Sequence, residues 1–269
     1  DLNINAGSIT VDSQDDCIHS NGNITVKGGT LALSSGDDGV HADTKLTVDD
    51  GTITVSKSYE GLESANVEIN GGNISVVASD DGINGAGGNN SSTSLSRPGR
   101  GMFSSSTGTI TINGGTVYVN ASGDGLDSNG DLNINGGTII VDGPSSSANS
   151  GLDHDGSFII TGGTVLGFGS SGMIEGVTSC TNQASISAYI SGGKGSKIVV
   201  SDSSGNEIEK VASLSDDSTY VYFVKRDLSE YKTESYEKPS SYFFEQSGFI
   251  DIPIVFEAYT GNNETFEGK

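Results

Sequence analysis

Residues 34–43 read SSGDDGVHAD: two adjacent carboxylates, a glycine, one apolar residue, a histidine and a third carboxylate. Relatives of the phrase recur along the first two thirds of the chain. Aligned on the residue before the apolar position, usually glycine, the place just ahead holds Asp16, Asp38, Glu60, Asp81, Asp124, Ser150 and Ser171. One place earlier stand Asp15, Asp37, Tyr59, Asp80, Gly123, Asn149 and Ser170. Two places past the glycine come His19, His41, Glu63, Asn84, Asp127 and Asp153, with Asp43, Asn129 and Asp155 further on. Oxygen donors repeated in this way suit a hard cation. Lysine and arginine are too few to neutralise them, since residues 1–175 hold 21 Asp or Glu against 5 Lys or Arg. A solvated acidic edge that blocks lateral aggregation is the other reading of the same charge.

The elements that must position these residues show in a repeat. Seven segments follow a glycine: GSITV (7–11), GTLAL (29–33), GTITV (51–55), GNISV (72–76), GTVYV (115–119), GTIIV (137–141) and GTVLG (163–167). The steps between them are 22, 22, 21, 43, 22 and 26 residues, so one unit carries an insertion and another four extra residues. Each unit has two stretches of strict alternation, joined by a turn that is usually Gly-Gly, and a third very short one. Alternation means strands with one face inward. The inward places form five columns. One runs Leu2, Ile24, Leu46, Val67, Ile110, Leu132, Phe158, and another Ile18, Val40, Leu62, Ile83, Leu126, Leu152, Met173. Aliphatic residues at the same place in every unit predict stacking of unit on unit. The fold expected is all-β: a right-handed parallel β-helix of about seven coils over 1–175, with residues 85–108 as an inserted loop. Residues 176–269 lose the period and hold 13 of the 18 aromatics. They read as a β-rich C-terminal subdomain capping the exposed strand edges.

Coils stack at about 4.8 Å. Calcium takes 6–8 oxygens at about 2.3–2.6 Å, so twice that distance, about 4.6–5.2 Å, spans one coil step. Magnesium, at about 2.0–2.1 Å in a rigid octahedron, fits less well. Zinc would prefer histidine, but His19, His41 and His154 lie amid oxygens without thiol partners. The expected calcium ligands are Asp15, Asp16, Asp37, Asp38, Asp43, Glu60, Glu63, Asp80, Asp81, Asp124, Asp127, Asp153 and Asp155. The sharpest sets are Asp37 with Asp38, Asp80 with Asp81, Asp124 with Asp127, and Asp153 with Asp155. Cys17 and Cys180 fall about six coil steps apart, roughly 29 Å, too far for a disulfide, so two free thiols are expected.

Composition excludes several classes. A net charge of −22 and a pI near 4.1 argue against nucleic acid and anionic membranes as partners. No run of 18 apolar residues is present, so no membrane insertion is expected. The sequence opens at DLNINAGS in mid-pattern, as a mature or trimmed chain would. The GGKGSK run at 192–197 lacks P-loop spacing. The outward column Thr10, Ala32, Thr54, Ser75, Tyr118, Ile140, Leu166 is too mixed for an ice lattice.

The SDDGI phrase on a 22-residue coil with GGT turns resembles a bacterial family of carbohydrate-binding β-helix proteins found in cellulolytic clostridia. The likeness covers most of the chain, including the change of pattern after GGTVLGFGSSGMIEG. It implies a secreted or cell-surface protein that binds calcium and holds plant cell-wall polysaccharide, cellulose and polygalacturonate. The Asp-Asp-Gly-apolar-Asp phrase is also similar to the calcium motif of family 9 pectate lyases, although DDGVH and DDGIN lack its final Asp and GDGLD its first.

Two functions compete. One is a non-catalytic, calcium-binding module, with Arg97 and Arg100 from the loop hydrogen-bonding an acidic sugar and outward-facing Tyr118 stacking on a neutral one. The other is a calcium-dependent polysaccharide lyase acting by β-elimination, which needs a base; Lys57, Arg97 and Arg100 are the available cations, in no fixed constellation.

Overall fold

The alternating stretches form three parallel sheets that wrap one core. The computed structural model describes residues 1–86, 108–170, 172–173, 175–180, 183–192, 197–201, 207–211, 218–226, 255–260 and 264–267, with backbone alone from residue 180 onward. Sheet A takes the first strand of each coil: Leu2–Ile4, Asn23–Val26, Lys45–Val48, Asn66–Ile69, Thr109–Ile112, Leu132–Ile134 and Phe158–Ile160. Sheet B takes the second: Ser8–Asp12, Thr30–Ser34, Thr52–Lys57, Asn73–Ala78, Thr116–Ala121, Thr138–Asp142 and Thr164–Gly169. Sheet C takes the third: Ile18–Ser20, Val40–Ala42, Leu62–Ser64, Ile83–Gly85, Leu126–Ser128 and Leu152–His154. The protein is thus a parallel β-solenoid of seven coils, as the repeat predicts.

Register is kept across the insertion. Val67 pairs with Leu46 on one side and Ile110 on the other, and Ile83 with Leu62 and Leu126. The columns from Ile24 to Phe158 and from Val40 to Ile83 are closed to solvent. Met173 departs from its column and is exposed. Among the described residues sheet C ends at the sixth coil; past it, Ser170 and Gly172 lie against the loop left by the four extra residues, with Ser170 N–H donating to Pro144 O (2.6 Å) and Gly172 close to Ser147.

Two glycine columns explain why the coils can stack so closely. The second residue of each A–B turn is glycine in all seven coils, from Gly7 to Gly163, with φ between 87° and 112°. This left-handed region disfavours any side chain. The corner glycines between sheets B and C are needed for another reason, a close approach. A Cβ on Gly82 would lie 2.1 Å from Val119 Cγ1 and 2.6 Å from Gly125 O, the next coil's corner. Cys17 fills the same place in the first coil, where its thiol donates to Ser34 O (3.2 Å) and is free of any disulfide. The Cys180 side chain lies outside the described residues.

Side chains also bond along the stack. At the A–B turn, Asn70 donates to Asp49 Oδ1 (2.9 Å), Asn113 to Asn70 (2.8 Å), Asn135 to Asn113 (2.9 Å), and Thr161 to Asn135 (2.6 Å). Beyond the seventh coil, Ser218–Arg226 pairs antiparallel with Thr164–Gly169, and Gln183–Gly192 pairs on its far side. Ser179–Cys180 extends sheet A in parallel. A separate antiparallel sheet runs in the order Glu207–Val211, Lys197–Ser201, Val255–Thr260, Glu264–Glu267.

Gly82→Ala forces its methyl against backbone and a core valine together. It is expected to cost about 1–3 kcal/mol, read as a lower denaturant midpoint, whereas Ala32→Ser on the outer face of sheet B should leave the midpoint in place.

Candidate metal centre

Each coil turns from sheet B to sheet C on the acidic phrase, so the phrases stack into a strip along one edge. The acid just before the corner glycine has a fixed task there. Asp16 Oδ1 accepts the Asp38 backbone N–H (3.1 Å), Asp38 Oδ1 the Glu60 N–H (3.3 Å), and Asp81 Oδ1 the Asp124 N–H (2.6 Å). Asp124 Oδ1 accepts the Ser150 N–H in the same way. One oxygen of each of these acids ties its coil to the next, and the other is available to neighbours. Sequence reasoning missed this ladder; its trace was an acid at one fixed place in each of the first five coils, aspartate in all but the third.

The second row stands on sheet C. His19, His41, Glu63, Asn84, Asp127 and Asp153 are consecutive partners in register. The two ends of this row differ in chemistry. In the first three coils the charge is met from within. His41, only 1 % exposed, has Nδ1 at 3.0 Å from Asp38 Oδ2 and 2.8 Å from Glu63 Oε2. Burial disfavours its charged form, but hydrogen bonds to Asp38 and Glu63 prevail and push its pKa up to about 11. His19 Nδ1 lies 2.6 Å from Asp16 Oδ2, and the two imidazoles stack with centroids 4.9 Å apart. Glu63 is pushed up to about 7, chiefly by burial.

From the fourth coil on, the row offers only oxygen. Carboxylate oxygens of Asp81, Asp124 and Asp127 lie within 4.8 Å of one another, and so do those of Glu60, Asp80 and Asp81. Each set draws on two consecutive coils. Burial is the largest influence on all of these shifted carboxyls, and neighbouring carboxylates add to it. Asp127 is pushed up to about 8, with Asp81 and Asp124 contributing, Asp124 to about 7 and Asp81 to about 6. Glu60 is held well above the carboxylate range. Asn84 stands between Glu63 and Asp127 and is 6 % exposed. Its Nδ2 donates to Glu60 Oε2 (2.9 Å), while Oδ1 is buried with no hydrogen-bond partner. A buried amide oxygen without a partner is costly, and this one belongs to the row position between Glu63 and Asp127.

The other expected ligands are placed as follows. Asp15, Asp16 and Asp37 form a set at the more open end of the strip. Asp43 faces the two histidines. Asp153 is in register with Asp127 and is raised by burial and by Glu175, a residue the repeat did not single out. Glu175 Oε2 accepts the His154 backbone N–H (3.0 Å). Asp155 is exposed and belongs to none of these sets. Tyr118 is half-buried on sheet B, its hydroxyl donating to Asp142 Oδ2 (3.3 Å). Lys57 is exposed and makes no ion pair among the described residues. Arg97 and Arg100 lie outside the described residues.

Fold and edge together define a parallel β-solenoid with acidic and histidine clusters able to hold metal. A family model described as "Carbohydrate-binding domain-containing protein" matches residues 1–39 and again 37–82. Both matches end on an Asp-Asp-Gly corner, and over these coils the chain is similar to that carbohydrate-binding family. No curated protein and no solved structure matches.

The shifts fix a pH dependence. Unfolded carboxyls titrate near 4, so between about pH 4 and 8 the native strip binds more protons than the unfolded chain and stability falls as pH rises. His41 acts in the same sense: its contribution is full below about 6.5 and is lost as pH rises through about 11. Chelator-treated protein should therefore melt higher at about pH 5 than at about pH 8, by differential scanning calorimetry. A melting temperature that is flat or rising over that range would contradict the buried repulsion.

Proposed function

We propose that the chain is a non-catalytic, calcium-binding protein that holds plant cell-wall polysaccharide, cellulose or polygalacturonate, in a secreted or bacterial cell-surface setting. The observation that carries the calcium is the oxygen-only set Asp81, Asp124 and Asp127, with the orphaned Asn84 Oδ1 at the register position next to Asp127. Its oxygens are as close as two ligands of one calcium ion, whose separation reaches about 4.6–5.2 Å. The absence of a nitrogen donor from that set favours a hard cation. The family likeness of the first four coils supports carbohydrate as the ligand. Bound calcium supplies positive charge on an edge that otherwise repels acidic sugars. A uronate carboxylate then completes a coordination shell that the protein leaves unfilled, while Asp81, Asp124, Asp127 and Asn84 hold the ion in place.

The experiment pairs calorimetry with affinity gels. Calcium titrated into chelator-treated protein should bind, and Asp127→Asn should weaken that binding by about tenfold or more. Migration through gels containing polygalacturonate or a soluble β-glucan should be retarded. Retardation by polygalacturonate should vanish with chelator and shrink in Asp127→Asn. Retardation that ignores chelator removes calcium from the reading. Steady release of unsaturated product from polygalacturonate, lost in Lys57→Ala, would instead make the protein a lyase.

A further inference from the structure

The first three coils hold a cluster that lies outside the oxygen-only set Asp81, Asp124 and Asp127. His19 and His41 are register partners with stacked rings. Their Nε2 atoms face one carboxylate oxygen, Asp43 Oδ1, at 3.9 Å and 3.5 Å. That oxygen is buried and accepts no hydrogen bond, although Asn21 Nδ2 donates to the other oxygen of the same carboxylate (3.4 Å). On the opposite side of both rings, each Nδ1 is held by carboxylate: His19 by Asp16 (2.6 Å), His41 by Asp38 (3.0 Å) and Glu63 (2.8 Å).

We propose that His19 Nε2, His41 Nε2 and Asp43 Oδ1 form a zinc-type transition-metal site, separate from the oxygen strip of the fourth to sixth coils. Three features support it. Two imidazoles and one carboxylate are the donor set of an open, three-ligand zinc site. Ligands at about 2.0–2.1 Å in a tetrahedron lie about 3.3–3.5 Å apart. The Asp43 oxygen is at that spacing from His41 Nε2 (3.5 Å) and further from His19 Nε2 (3.9 Å), so the site forms by a turn of the exposed His19 ring out of its stack and toward the other two donors. Metal-bound histidines characteristically give their other ring N–H to a carboxylate, which fixes the tautomer and strengthens the donor. Here that outer carboxylate is present on both rings. It is supplied by the Asp column whose other oxygen ties the coils together, so the outer shell is as rigid as the stack. His19 is partly exposed (38 % of its side chain), which gives the ion a route from solvent. A hard ion such as calcium has little use for imidazole, so the two ends of the edge would sort two kinds of cation.

The test uses the full chain, stripped of metal and then given zinc in the presence of excess calcium. Bound zinc is counted by elemental analysis after desalting, with folding checked by circular dichroism. The wild type should retain one zinc ion per chain. His19→Gln and Asp43→Asn, both at partly exposed positions, should each weaken zinc binding by about tenfold or more, and Asp127→Asn should leave it unchanged. Cobalt(II) should give the intense visible absorption of a tetrahedral site in the wild type and lose it in His19→Gln. Zinc displaced by calcium, or retained equally in His19→Gln and Asp43→Asn, overturns the proposal. So does a loss in Asp127→Asn as large as in Asp43→Asn, which would put zinc in the oxygen strip. Calcium binding measured on His19→Gln keeps the two sites apart: loss of zinc with calcium intact is the expected pattern.

Discussion

Parallel stacking in register brings every side chain within about 4.8 Å of its counterpart on the next coil, whatever its chemistry. All else in this protein follows from that constraint. For the aliphatic columns it is favourable, because like packs on like and the core is closed from Ile24 to Phe158. For amides it is favourable too, since Asn70, Asn113 and Asn135 give a donor to the coil on one side and an acceptor to the other. For carboxylates it is adverse. The strip between sheets B and C shows the remedies the chain uses: a backbone N–H for one oxygen of an acid, an imidazole for the other, and, where no imidazole stands, protons taken up at unusually high pH.

These remedies divide one edge into two environments. The first coils place His19 and His41 where the fourth to sixth place Asn84, Asp127 and Asp153. A substitution at one row position changes the edge from a self-neutralised cluster to an oxygen cage, with no change in the backbone that carries it. The corner glycines permit this, because their tight approach fixes the coil path independently of the side chains on the outer row.

The fold was legible in the sequence because a solenoid writes its contacts at a constant interval. The column from Leu2 to Phe158 could be read from spacing alone, and pairing follows it residue by residue. Met173 failed because register beyond the sixth coil depends on a loop of irregular length, which periodicity does not describe. The site was legible as rows and not as bonds. Spacing placed Asp38, His41 and Glu63 on neighbouring coils, but a buried imidazole holding two acids through one ring nitrogen depends on side-chain direction and on depth. The same holds for Asn84, whose orphaned oxygen is visible only once burial and partners are known. Glu175 lay past the end of the repeat, and no pattern pointed to it.

Each oxygen set takes its members from two adjacent coils, so the unit of binding is the interface between coils and not the coil itself. This has a consequence for how such a protein can evolve. Copying one block of about 22 residues inserts a coil and adds an interface, with a new set of ligands already supported by the hydrogen bonds that every coil makes to the next. Later drift in one copy, histidine to aspartate or aspartate to asparagine, can retune that interface while its neighbours keep their composition. Ion number and ion preference thus become separately heritable, the first through duplication length and the second through single codons.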